Sequence, residues 1–201
     1  MIFILKGLYL EIGKYYSNAK KVKVVLRVDI NEQSQKLMDK ICAKKGKPLF
    51  LNTVEAVREA NIKQYCTNAP LVEIGRTEDK FVPCPWGTLR IKLYYPKGTG
   101  DAGLLPVVVF YHGGGWTVDT VEAHDKAVHV MCAASGCVFA SVDYRLAPEH
   151  KFPAGIEDAY TGLQWVYDNA EQIGVDRNRI AVCGDSSGGN FAAVMCQLAR
   201  D

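Results

Sequence analysis

The sequence has no CxxC pair, no apolar run long enough to span a bilayer, no internal repeat and no low-complexity tract. These absences exclude, in turn, a dithiol redox motif, a membrane span, a solenoid and a disordered linker protein. Charge of one sign is also lacking. The 24 Lys and Arg nearly balance the 22 Asp and Glu, for a net charge of +2, so no broad field points to nucleic acid as a partner. The seven cysteines, Cys42, Cys66, Cys84, Cys132, Cys137, Cys183 and Cys196, are odd in number and irregularly spaced. They read as reduced, mostly buried thiols. With 48% apolar residues the chain buries a core without disulfides or a metal. No metal-ligand spacing and no cofactor motif stands out.

Residues 1–28 hold six Lys/Arg against one Glu and read as a basic, solvated leader. Lys6 interrupts its apolar start and no small-residue cleavage site follows, which predicts neither a signal peptide nor a stable membrane span, and a cytoplasmic protein. Residues 29–70 read as a helical segment. Leu37, Met38, Ile41 and Cys42 recur at helical spacing behind Asn31 as a cap, and a second helix is expected from Asn52, with Glu55 completing a capping box. Two such short helices are marginal alone, so they are expected to cover apolar surface on the rest of the chain.

Residues 71–201 read as an α/β body. Val82–Tyr95 alternates with period two around a turn at Trp86-Gly87-Thr88. Apolar runs at Val107–Tyr111, Cys137–Val142 and Ile180–Cys183 suit strands buried on both faces of a parallel sheet. Helical patterns fall between and after them, at 123–135, at 156–169 and from Ser187 to Arg200; in the second, Ile156, Tyr160, Leu163, Val166 and Tyr167 share a face. Alternating strands and helices predict a doubly wound, mostly parallel sheet with right-handed crossovers.

Two glycine-rich stretches carry the chemistry. Gly184-Asp185-Ser186-Ser187-Gly188 is a G-x-S-x-G sequence between a strand and a helix. A reversal that sharp strains its middle residue and leaves no room for side chains two positions to either side, while holding Ser186 Oγ exposed at a helix N-terminus. Ser186 is therefore the candidate nucleophile. His112-Gly113-Gly114-Gly115-Trp116 follows the strand ending at Tyr111. Its backbone N–H groups, with that of Ser187, are placed to hold an oxyanion, and no phosphate-loop spacing competes. His112 reads as an orienting residue for this loop, Trp116 as either a pocket wall or a cap on the loop, and His124, His129 and His150 as helix-face or loop histidines. Asp143, Arg145 and Glu149 read as paired charges that fix the loop after a buried strand.

These stretches, together with Val142-Asp143-Tyr144-Arg145-Leu146-Ala147-Pro148-Glu149, Phe152-Pro153-Ala154 and Glu157-Asp158-Ala159 in the same order, resemble the hormone-sensitive-lipase family of α/β hydrolases from about residue 30 onward. The resemblance implies an α/β-hydrolase fold with N-terminal cap helices and a cofactor-independent serine esterase acting on small-molecule carboxylic esters. It also implies Ser186 as nucleophile, Gly114, Gly115 and Ser187 as oxyanion donors, and His112 and Gly113 as support for their loop. Ser187 stands where the family usually has Ala, which leaves the backbone N–H intact. A non-catalytic small-molecule binding module on the same fold is the alternative, and oligomeric state is not legible.

In this fold class the triad runs Ser, then Asp or Glu, then His. The 15 residues after Ser186 hold no His and one carboxylate, Asp201. The expectation is accordingly a chain incomplete at its C-terminus, inactive by itself, with Ile180–Cys183 an exposed sheet edge and Phe191, Val194, Met195 and Leu198 partly uncovered.

Overall fold

A computed structural model describes residues 31–43, 51–65, 70–98 and 103–200. The basic leader at 1–28 lies outside them. The chain divides into two compact units, Met1–Leu51 and Asn52–Asp201. The first contributes helix α1 (Glu32–Ala43), where Asn31 Oδ1 accepts the Ser34 N–H at 2.8 Å, an N-cap as its position suggested. The face expected on Leu37, Met38, Ile41 and Cys42 falls on side chains outside the description.

The second unit opens with α2 (Val54–Tyr65). Its cap is Thr53, whose Oγ1 accepts the Ala56 N–H at 3.2 Å, one residue later than the Asn52 box expected. Either residue satisfies a first-turn donor, and the register of the helix decides between them. Then follow β1 (Arg76–Cys84), β2 (Gly87–Tyr95), β3 (Leu105–Tyr111), α3 (Asp125–Ser135), β4 (Val138–Val142), α4 (Ala154–Asp168), β5 (Val175–Gly184) and α5 (Ser187–Leu198).

The strands form one sheet in the order β1-β2-β4-β3-β5. Strands β4, β3 and β5 are parallel, joined through α3 and α4. Beside this parallel part, β1 and β2 form a hairpin, antiparallel as a two-residue connection requires, and the hairpin pairs antiparallel onto β4, so the sheet is mixed. That turn is Pro85-Trp86, since Cys84 already pairs Gly87. β1 reaches back to Arg76, and its burial alternates along an edge strand rich in charge.

Both sheet faces are covered. Val107, Val109 and Tyr111 point to the core shared with Ala159, Val166, Phe191 and Met195 of α4 and α5. Phe110 points the other way, to Val128 and Cys132 of α3. This two-sided burial explains the unbroken apolar runs; all five residues of β4 are buried. On α4 the buried residues are Ala154, Asp158, Ala159, Gly162 and Val166; of the face expected, Val166, Ile156 and Leu163 pack against the core, whereas Tyr160 and Tyr167 are exposed. Small residues let the helix sit close: a Cβ at Gly162 would lie 2.7 Å from Val142 Cγ2.

On α5, Phe191 and Met195 are buried, Val194 is half-buried and Leu198 is exposed. The expectation of partial exposure holds for Val194 and Leu198 and fails for Phe191 and Met195, because α5 packs on β3, β5 and α4. β5 is one edge of the described sheet and β1 the other. The described cysteines are free thiols, but only Cys132 is buried; Cys84, Cys137 and Cys183 are half-buried and Cys196 is exposed. Among the described residues no helix is long and apolar enough to cross a membrane.

Candidate active site

The register places the chemistry. Phe110 pairs with Ser141 on β4 and with Cys183 on β5, and Tyr111 pairs with Gly184. The three parallel strands therefore end side by side, delivering His112, Asp143-Tyr144 and Asp185-Ser186 to one carboxyl edge of the sheet, where open α/β sheets build their sites.

Ser186 sits at the N-cap of α5 with φ 50° and ψ −118°, a left-handed conformation that costs a non-glycine residue about 1–3 kcal/mol. The turn around it is tight. A Cβ on Gly184 would lie 2.4 Å from the Gly188 carbonyl carbon, and one on Gly188 only 1.9 Å from the Tyr111 carbonyl oxygen. The Gly188 and Gly189 N–H groups donate to the Asp185 carbonyl at 2.8 and 3.2 Å, starting the helix directly under the serine. Ser186 is exposed and Ser187 buried. Ser187 Oγ accepts the Trp116 N–H at 3.4 Å, a long contact between the two glycine-rich segments.

The loop after β3 is fixed from several sides. The Gly113 N–H donates to Asp185 Oδ1 at 2.9 Å. Gly114 adopts φ 109°, and a Cβ there would lie 2.1 Å from the Val118 carbonyl oxygen; that oxygen's own residue donates its N–H back to the Gly114 carbonyl at 2.9 Å. His112 is fully buried, with Nδ1 2.7 Å from the Gly113 carbonyl. Tyr144 stacks on its ring at 4.3 Å and donates its hydroxyl to the His112 carbonyl at 2.6 Å. Tyr144 is a contributor the sequence reading passed over; its signal was an aromatic residue directly after a buried strand.

Burial holds His112 far below its ordinary value of 6.5, to about 4, against the opposing pull of the Gly113 carbonyl. Between those two pH values the unfolded chain binds a proton that the folded chain refuses. Stability therefore falls as pH is lowered through that window, by about 3 kcal/mol in all. Urea unfolding at pH 7 and pH 4 measures the loss, and His112→Asn, which cannot titrate, is expected to show a correspondingly flatter pH dependence. Equal pH slopes for the two proteins would show that His112 does not drive it.

The charges on the neighbouring loop are paired. Asp158, fully buried, accepts from the Arg145 backbone N–H and Nε, each at 2.8 Å. Arg58 on α2 donates to both Glu149 carboxylate oxygens at 2.7 and 2.8 Å and to the Thr117 carbonyl at 2.8 Å. Asp143 lies 3.6 Å from Arg90. Beside the serine turn lies an apolar cavity of about 400 Å³ lined by Gly115, Trp116, Arg145, Phe152, Ile156 and Phe191, among others. Trp116 is thus a wall residue. Its ring, with φ 58° at its backbone, stands 6.4 Å from that of Phe191.

The remaining histidines have their own partners. His129 Nδ1 lies 2.8 Å from the Val72 carbonyl, and His150 lines the same apolar cavity. His124, expected as a helix-face or loop histidine, stands at the N-cap of α3 and meets Asp185 next to the candidate nucleophile, at 3.2 Å. No group of three or more His, Cys, Asp or Glu side chains able to hold a metal occurs among the described residues.

A helix-covered sheet whose last parallel strand turns through a strained serine into a helix is the architecture of the α/β hydrolases. Comparison with known proteins agrees: residues 108–201 match the family model described as alpha/beta hydrolase fold. Carboxylesterase NlhH of Mycobacterium tuberculosis is 40% identical over 180 residues, covering 88% of this chain and 54% of that protein. An arylesterase of Saccharolobus solfataricus is 37% identical over 132 residues, covering 66% of this chain and 42% of the relative. Among solved structures, the hyperthermophilic esterase from the archaeon Pyrobaculum calidifontis superposes with a TM-score of 0.75 at 42% identity, over 86% of this chain and 54% of that one. The chain belongs to the hormone-sensitive-lipase family of α/β hydrolases, and it spans about half the length of these relatives.

Proposed function

We propose that the protein is a carboxylic ester hydrolase that works through an acyl-Ser186 intermediate on small esters. The observation that carries this reading is the strained, exposed Ser186 at the N-terminus of α5, facing a glycine loop anchored to the same turn through Gly113 and Asp185. Ser186 Oγ attacks the ester carbonyl carbon and gives its proton to a base. The carbonyl oxygen becomes an oxyanion held by the N–H groups of Gly114, Gly115 and Ser187, the alcohol leaves with a proton, and water then releases the acid. His112 and Gly113 support the oxyanion loop. Helix α2, tied by Arg58 to the loops at Thr117 and Glu149, serves as a cap helix over that side of the body. The apolar cavity beside Trp116 and Phe191 takes an acyl or aryl group rather than a charged one. None of the four imidazoles is seated on the Ser186 hydroxyl: His112 faces the Gly113 carbonyl, His124 Asp185 and His129 the Val72 carbonyl, while His150 lines the apolar cavity. The 201 residues by themselves are therefore expected to turn over esters poorly.

The experiment is labelling with a fluorophosphonate, followed by peptide mass spectrometry, alongside hydrolysis of an aryl acetate. Modification confined to Ser186 is the expected result. Ester turnover accompanied by modification at another residue would overturn the assignment, and rapid turnover by the 201 residues alone would overturn the claim that the base is lacking among them.

A further inference from the structure

The mechanism above leaves His124 without a task, yet it sits against Asp185, the anchor of the glycine loop. Asp185 Oδ1 is shared: it accepts the Gly113 N–H at 2.9 Å and faces His124 Nε2 at 3.2 Å. The other ring nitrogen of His124, Nδ1, lies 3.4 Å from the Thr120 carbonyl. Both nitrogens thus face acceptors, which is the environment of an imidazolium, since a neutral ring has only one donor. The fit leaves no slack, for a Cβ on Gly113 would lie 2.2 Å from Asp185 Oδ2.

We propose that His124 is a positioning residue for the oxyanion loop: it balances the Asp185 carboxylate that holds Gly113, locking the loop to the nucleophile turn without leaving an uncompensated negative charge beside the oxyanion. The inference rests on the esterase reading of Ser186. The physical need is plain, because a bare carboxylate one residue from the nucleophile repels the charge that develops on the ester oxygen. A carboxylate is nonetheless the acceptor that can bind the Gly113 N–H most strongly. Pairing it with a cation reconciles the two demands.

The groups facing His124 are Asp185 from the β5–α5 turn, the His112 ring at 5.7 Å from the end of β3, and Asp119 from the intervening loop. Its chain neighbour Asp125 faces Lys92 and His129 instead. Burial pushes the His124 imidazole down, but the hydrogen bond and charge of Asp185 outweigh it and hold it above its ordinary value. Asp185 is held below its own range, chiefly by His124. The contribution of the pair is therefore complete between the ordinary carboxylate and histidine ranges; it is lost as pH rises through the elevated His124 value and as pH falls through the lowered Asp185 value.

The test is an NMR titration of the full chain, following the His124 ring signals and the Gly113 amide. The expected result is one common midpoint for both, higher than the 6.5 of an ordinary histidine, with the amides of the β1–β2 hairpin unmoved. His112 titrates near 4 and cannot be mistaken for it. Asp185→Asn is expected to lower the His124 midpoint and abolish the Gly113 response. A Gly113 amide that ignores the His124 titration, or a His124 midpoint at or below 6.5, would sink the proposal. The wild-type titration suffices if the variant does not fold. It needs no substrate, so its failure is separate from failure of Ser186 to be labelled.

Discussion

Replacing Ser186 with alanine is expected to lower kcat for an aryl ester by about 10⁴-fold or more, in whatever length of chain turns the ester over. The size follows from the role proposed. Without Oγ there is no acyl-enzyme, and what remains is the oxyanion N–H groups acting on a water molecule, a residual that is small beside the covalent route. Alanine keeps the backbone and removes only an exposed hydroxyl that makes no capping hydrogen bond. The thermal midpoint should accordingly stay within the narrow range of surface substitutions. The comparison of steady-state rates with unfolding midpoints separates the outcomes: an active Ser186→Ala protein rules out the nucleophile, while an inactive and unfolded one leaves rate and fold confounded, in which case Ser186→Cys, bulkier by little and still nucleophilic, decides by its labelling with an activated ester.

Gly188→Ala is expected to have the largest effect on stability, about 4 kcal/mol, the upper end of what single substitutions do. The added methyl would lie 1.9 Å from the Tyr111 carbonyl oxygen and 2.6 Å from that of His112. Both are main-chain atoms of β3 and its loop, and neither can rotate away as a side-chain tip could. Relief requires α5 to lift from β3, which takes the serine turn with it. Urea denaturation measures the cost. A loss smaller than about 1 kcal/mol would mean that the helix and strand are not in the close contact described. Gly189→Ala is the control, because its added methyl would come no nearer than 3.2 Å, to the Gly184 carbonyl oxygen.

The strands of the interior were legible in the sequence because burial on both faces leaves unbroken apolar runs, as at Val107–Tyr111 and Val138–Val142. The glycine stretches were legible because they sit at strand ends. The edges were not. β1 from Arg76 to Phe81 and the start of β5 at Asp176–Arg179 carry charge where a strand faces solvent, so their composition resembles a loop. The packing face of α4 was legible at Ile156, Leu163 and Val166 and missed at Gly162, which sits against Val142, because glycine leaves no hydropathy signal. The meeting of His124 with Asp185 depends on β3 and β5 being neighbours in the sheet. Nothing in the local pattern of either residue announces it, although an acid beside a candidate nucleophile was itself a reason to look for a cation.

The antiparallel attachment of the β1–β2 hairpin has a consequence for how such a site could diversify. Because β2 runs against β4, the hairpin's tip, not its open ends, arrives at the carboxyl edge. There the Trp86 ring lies under the Arg145 guanidinium at 4.4 Å, and Arg145 forms part of the wall of the apolar cavity. A two-residue turn a hundred positions upstream of the nucleophile thus shapes one side of the chamber. Changes in that turn are therefore expected to reshape this wall through Arg145 while leaving the serine, its helix and the glycine loop in place.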